Sequence, residues 1–127
     1  MGPIIKEKPI VETATAEQVN VLEESHVYVH CYFNNTVKDM LIRIWKTTFL
    51  MDTFSGHRSK LVHAENISFA PVWTSIPDNS LYQFLLIFEA LPKGCEVFDL
   101  LEDIPQPGGF FVPGIIRNQK DVYHVHI

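Results

Sequence analysis

His26-Val27-Tyr28-Val29-His30-Cys31-Tyr32-Phe33 decides the fold class. Successive side chains of an extended chain point to opposite faces, so Val27, Val29, Cys31 and Phe33 fall on one side and His26, Tyr28, His30 and Tyr32 on the other. This is a strand with one face on a core. Working outward, Asn34-Asn35 supplies turn chemistry, and Met40–Trp45 alternates again, with Met40, Ile42 and Ile44 inward and Arg43 outward. Thr47–Met51 continues it after a bend. Asp52–His57 reads as a hairpin loop closed by the positive φ that Gly56 tolerates, and Lys60–His63 is the returning strand. Ile67–Trp73 is interrupted by Pro71, which has no N–H for a ladder, so it belongs at an edge or a bulge. Pro77–Ser80 is a turn. Leu81–Glu89 is too apolar for a wet face and is placed centrally in a sheet; the alternative, a helix, fits poorly with an aromatic-rich run of strand length between Pro77 and Pro92. Glu96–Leu101, Phe110–Ile116 and Val122–Ile127 complete the set. The expectation is an all-β, antiparallel sandwich of seven to nine strands, with Val27, Val29, Ile42, Ile44, Leu86, Phe88, Phe98, Leu100 and Ile115 in the core.

The 127-residue length suits one domain, and 46% apolar with 20% charged residues suits an ordinary globular core. Residues 1–16 hold two prolines, scattered charges and Thr13-Ala14-Thr15-Ala16 without periodicity, and read as a flexible arm ahead of a single domain over 17–127. Ten Lys and Arg against fifteen Asp and Glu give a net charge of −5, which disfavours nucleic acid and anionic membranes as partners. Met1–Lys8 has no apolar leader region, so the chain is read as cytoplasmic or already trimmed, the cytoplasm being favoured. Lys6 stands where a myristoylation signal needs Ser or Thr. The densest apolar run, Phe84–Phe88, is far shorter than the ~20 residues of a membrane span.

Three blocks carry a resemblance. They are Ile42-Arg43-Ile44 with Phe49-Leu50-Met51-Asp52 and Gly56; Leu61–Ile67; and Phe84–Gly94 running into Phe98-Asp99-Leu100-Leu101-Glu102 and Gly114-Ile115. From Ile42 to Ile116 the chain resembles an uncharacterised immunoglobulin-like sandwich domain of bacterial proteins. The most specific part is Phe-Glu-x-Leu-Pro-x-Gly followed by Phe-Asp-Leu-x-Glu: a strand ends at Pro92, turns on Gly94 with positive φ, and returns with Phe98 and Leu100 inward. The resemblance implies an immunoglobulin-like fold and carries no catalytic residues.

Cys31, Trp45 and Cys95 stand in the order of the antibody-type signature, but Cys95 follows the turn Leu91-Pro92-Lys93-Gly94, with Lys93 where a corner tyrosine belongs. The reading is a core thiol at Cys31 and a turn-edge thiol at Cys95. No phosphate-binding glycine loop, Gly-x-Ser-x-Gly or Cys-x-x-Cys occurs, and no cofactor is expected. Glu89, Asp99 and Glu102 flank the Pro92 turn; charges at strand ends ordinarily keep those ends in water, and a hydrolytic carboxylate pair is the minor reading. His124-Val125-His126 puts two imidazoles on one strand face, ~6.5–7 Å apart along the chain, from which they can converge on a metal if His26, His30 or His63 supplies a third ligand.

Aromatics are plentiful. Trp73, Phe69, Tyr28, Tyr32, Phe110 and Phe111 cannot all point inward if the alternation holds, and exposed aromatics on a sheet mark a protein or carbohydrate surface. The leading expectation is therefore a noncatalytic interaction or accessory module whose partner is a protein, a second copy of the chain included, with Trp73, Phe69, Tyr28 and Tyr32 as contact residues. The alternative is a small-ligand or metal-binding sandwich using His124 and His126.

Overall fold

Alternation between a buried and a more exposed face marks several strands of the computed structural model, which describes residues 25–127; the arm over 1–16 and the first residues of the 17–127 domain lie outside the described residues. In β1 (Val27–Asn35), Val27, Val29 and Cys31 are fully buried while Tyr28 is exposed. The same period of two governs β3 (Thr48–Asp52), which buries Thr48, Leu50 and Asp52, and β7 (Val97–Glu102), which buries Phe98, Leu100 and Glu102. The remaining strands are β2 (Met40–Ile42), β4 (Arg58–Glu65), β5 (Thr74–Ile76), β6 (Ser80–Phe88), β8 (Phe111–Ile116) and β9 (Val122–His126). No helix occurs among the described residues, so Leu81–Glu89 is a strand as expected, and it lies between β1 and β4.

Seven strands form one mixed sheet in the order β8-β7-β3-β4-β6-β1-β9, and β2 and β5 form a separate pair. β4 is the corner. Its first residues pair with β3 and its later ones with β6, with a register shift between Leu61 and His63. Beyond the corner the sheet turns back on itself: Tyr123 of β9 meets Phe98 of β7 edge to face, ring centroids 5.0 Å apart, although four strands separate them in sheet order. One cluster thus takes Val27, Val29 and Cys31 from β1, Leu86 and Phe88 from β6, Leu50 from β3, and Phe98 and Leu100 from β7. Fully burying one such side chain contributes about 1.5–3 kcal/mol.

Several expectations change. The fold is not wholly antiparallel, because β9 runs parallel to β1, from Tyr28 opposite Val122 to Tyr32 opposite His126. The chain leaves β8 at the end of the molecule where β1 begins, and the Tyr28 N–H donates to the Asp121 carbonyl at 2.9 Å, so both strands start together. Ile67–Trp73 is not an interrupted strand: only Phe69 bridges to Ile44, and the Val72 N–H bonds to the Phe69 carbonyl to close a turn around Pro71, which cannot donate. Thr48–Asp52 does not extend the preceding strand but pairs with β4 and β7, whereas β2 pairs with β5. Ile42 and Ile115 are only partly buried against the core.

Gly94 is not at positive φ. The turn closes through the Cys95 N–H and the Pro92 carbonyl at 3.0 Å, and a Cβ at Gly94 would meet nothing. Positive φ falls instead at Gly56, Gly108 and Gly114 and at Asp39, Asn66, Asn79 and Asp121. Cys31 and Cys95 are both buried free thiols. Burial alone pushes Cys31 up to about 12, and burial with the Asp52 carboxylate pushes Cys95 to about 11, so both stay protonated.

Two ends result. The β3–β4 hairpin, the Pro92–Cys95 turn and the start of β1 share one. The Asn35–Asp39 turn, Trp45–Thr48 and the loop from Asp103 to Gly109 share the other, where the Asn35 amide fixes the turn by donating to the Val37 and Pro77 carbonyls.

Candidate functional site

The end opposite the hairpin holds a cavity of about 310 Å³, lined by Leu41, Arg43, Trp45, Trp73, Glu102 and Phe110 among others, Gln106-Pro107-Gly108 included. β2 supplies Leu41 and leads into Arg43 and Trp45, while Trp73 immediately precedes β5, so the two-stranded sheet carries one wall. The opposite wall is the end of β7 and the loop after it.

Arg43 is the organising cation. Its guanidinium carbon lies 3.9 Å from the centre of the Trp73 ring and 5.4 Å from that of Trp45, a stack that holds the charge over apolar surface. Arg43 has no ion pair among the described residues. Trp73 keeps 50% of its surface exposed and Leu41 49%, so the cavity presents apolar side chains to solvent.

Glu102 lies at the base. One carboxylate oxygen accepts from the Trp45 N–H at 3.2 Å and the other from the Phe110 N–H at 3.4 Å, so the side chain ties both walls together. Burial pushes this carboxyl above the usual carboxylate range, against the opposing pull of those two N–H groups and of the Arg43 charge. It does not keep a strand end in water, as its sequence position suggested. The signal was present in Phe98-Asp99-Leu100-Leu101-Glu102: period two places Glu102 on the same face as Phe98 and Leu100. Arg43 and Trp45 were not legible as site residues, because their meeting with Trp73 depends on the β2–β5 pairing.

The other predicted residues separate. Phe69 is partly buried against the core, with the Lys46 ammonium 5.5 Å from its ring centre, and does not line the cavity. Tyr28 and Tyr32 lie on the outer face of β1, so the expected aromatic contact residues form two surfaces and not one patch. On that outer face His30 stacks on His124 with centroids 4.9 Å apart, Tyr32 stacks on His126 at 5.1 Å, and the Tyr32 hydroxyl lies 2.8 Å from His124 Nδ1. No group of three metal-ligating side chains forms among the described residues, and His63 is engaged by Glu65 at 3.3 Å. The carboxylates also part company: Glu89 accepts from the Lys60 N–H at 3.1 Å, and Asp99 from the Gly114 N–H at 2.9 Å, on the face of β7 opposite Glu102.

Fold and site together define an all-β domain of mixed sheet with an aromatic, arginine-bearing cavity at one end; among the described residues no helix is long and apolar enough to cross a membrane. No protein family, no curated protein and no solved structure matches the chain.

Proposed function

We propose that the protein is a noncatalytic, immunoglobulin-like interaction module that binds a protein segment at the cavity mouth, with Trp73 as the anchor. The observation that carries this reading is the half-exposed Trp73 ring held in place by Arg43 at the rim of an apolar cavity. Binding energy at protein surfaces concentrates in a few Trp, Tyr and Arg residues around a pocket, and a side chain already ordered before contact loses less entropy on binding. Support for the immunoglobulin-like reading is the folded-over sheet with one shared core and the β6–β7 connection through Pro92. Phe69, Tyr28 and Tyr32 leave the leading surface. A metal role for His124 and His126 has two imidazoles in its favour, but they stack on His30 and Tyr32 instead of converging.

A displayed random-peptide library panned on the protein tests the reading. Selected peptides should carry an aromatic or large aliphatic residue and lose at least about tenfold in affinity on Trp73→Ala. Peptides that bind the wild type and Trp73→Ala alike, or a library that yields no binder, would overturn it.

A further inference from the structure

Phe54 stands at the tip of the β3–β4 hairpin and is 98% exposed. The turn itself does not need a phenylalanine. Its backbone is closed by Gly56 N–H donating to the Asp52 carbonyl at 2.8 Å, with Gly56 at φ 78°. The Asp52 carboxylate accepts from the Phe54 N–H at 3.1 Å and from the Ser55 hydroxyl at 2.8 Å, and the His57 N–H reaches the Ser55 oxygen at 3.2 Å. These bonds fix residue 54 in space whatever its side chain. The ring buries almost nothing among the described residues, yet the loop presents it on a firm base.

The cavity lies at the other end of the molecule. β3 alone puts about 13 Å between the hairpin and the Trp45–Thr48 turn, so Phe54 cannot reach the cavity of its own chain. A benzyl group fits easily within about 310 Å³ lined by Trp45, Trp73 and Phe110. Charge matches as well: Glu96, exposed and lacking an ion pair among the described residues, borders the same depression as Phe54, and Arg43, which also makes no ion pair among them although its charge is felt by Glu102, borders the cavity.

We infer that the partner at the Trp73 cavity is a second copy of this chain, which inserts Phe54 head to tail; this rests on the reading of that cavity as a binding surface. Knob and hole occupy opposite ends, so each contact leaves one knob and one hole free, and association continues as an open row instead of closing at a dimer.

Sedimentation of the full 127-residue chain from about 10 µM to about 1 mM covers the range in which so small a contact dissociates. The wild type should gain mass steadily with concentration and reach no plateau. Phe54→Ser, which keeps the hole, and Trp73→Ala, which keeps the knob, should each be monomeric alone. Mixed, they should form a 1:1 dimer and nothing longer. Leu41→Asp at the exposed rim is a second hole variant that should behave like Trp73→Ala, and far-UV circular dichroism checks that each variant is folded.

A wild type that stays monomeric throughout overturns the inference, as does association that survives Phe54→Ser. Variants that each abolish association but do not complement one another overturn the head-to-tail arrangement. A monomeric wild type that still binds library peptides at Trp73 removes only the second copy as partner; loss of those peptides as well removes the binding reading with it.

Discussion

Glu102 concentrates the chemistry of the site in one residue. Its carboxyl is raised by burial, so the folded chain holds that proton at pH values where the unfolded chain has released it. Its contribution to stability is therefore complete below the unfolded value, about 4.3, and is lost as pH rises through the higher folded value. Glu102→Gln removes that slope. Urea titrations of the two proteins between about pH 4.5 and 7 should show wild-type stability falling relative to the variant as pH increases; parallel profiles would mean that Glu102 titrates normally. Asp52 shows the opposite case at the hairpin, where hydrogen bonds from the Ser55 hydroxyl and the Phe54 N–H hold its carboxyl below the usual range. Both acids end their strands at inward positions, Asp52 in β3 and Glu102 in β7, where the sequence suggested a loop residue and a water-facing strand end. What alternation does not reveal is which N–H groups wait for each carboxylate.

At the scale of elements, two glycines near the ends of β7 reverse their apparent importance. Gly94, the conspicuous glycine of Leu-Pro-Lys-Gly, has ordinary φ and open space around it. A Cβ on Gly109 would instead press into the carbonyl oxygen of Glu102 and against Ile104, where the loop that lines the cavity returns toward β8. Gly94→Ala should change stability by no more than about 0.5 kcal/mol, whereas Gly109→Ala should cost more than about 1 kcal/mol, both measured by denaturant unfolding. Equal effects would place the close approach elsewhere. Most strands were readable because each carries its own period-two pattern. The Ile67–Trp73 segment departs from the expected interrupted strand because Pro71 marks a break in hydrogen bonding without saying whether a strand resumes on the same ladder.

For the whole molecule, closure depends on a polar cluster joining the β8–β9 connection to the β6–β7 turn. The Arg117 guanidinium donates to both Asp121 oxygens, at 3.1 and 3.0 Å, and to the Pro92 carbonyl; the Tyr123 hydroxyl donates to Asp121 at 2.8 Å and accepts from the Asn118 N–H at 3.0 Å. Asp121→Asn suits the positive φ at that position but removes the carboxylate from a mostly buried guanidinium. Thermal and denaturant unfolding should show a loss of about 3 kcal/mol. A loss below about 1 kcal/mol would show that β9 docks without the pair.

The sequence alone determined that this is an all-β chain, where its hairpin and central strand lie, and that Val27, Val29, Ile44, Leu86, Phe88, Phe98 and Leu100 belong to the core, because local alternation and turn residues act over a few neighbouring positions. Tertiary structure alone decided that β9 runs parallel to β1, that Arg43 comes close to two tryptophan rings, and that an exposed Phe54 and an apolar cavity sit at opposite ends. Each of those depends on strands far apart in the chain becoming neighbours. Pairing of that kind is set by the burial of the whole core and leaves no pattern in any short stretch of residues.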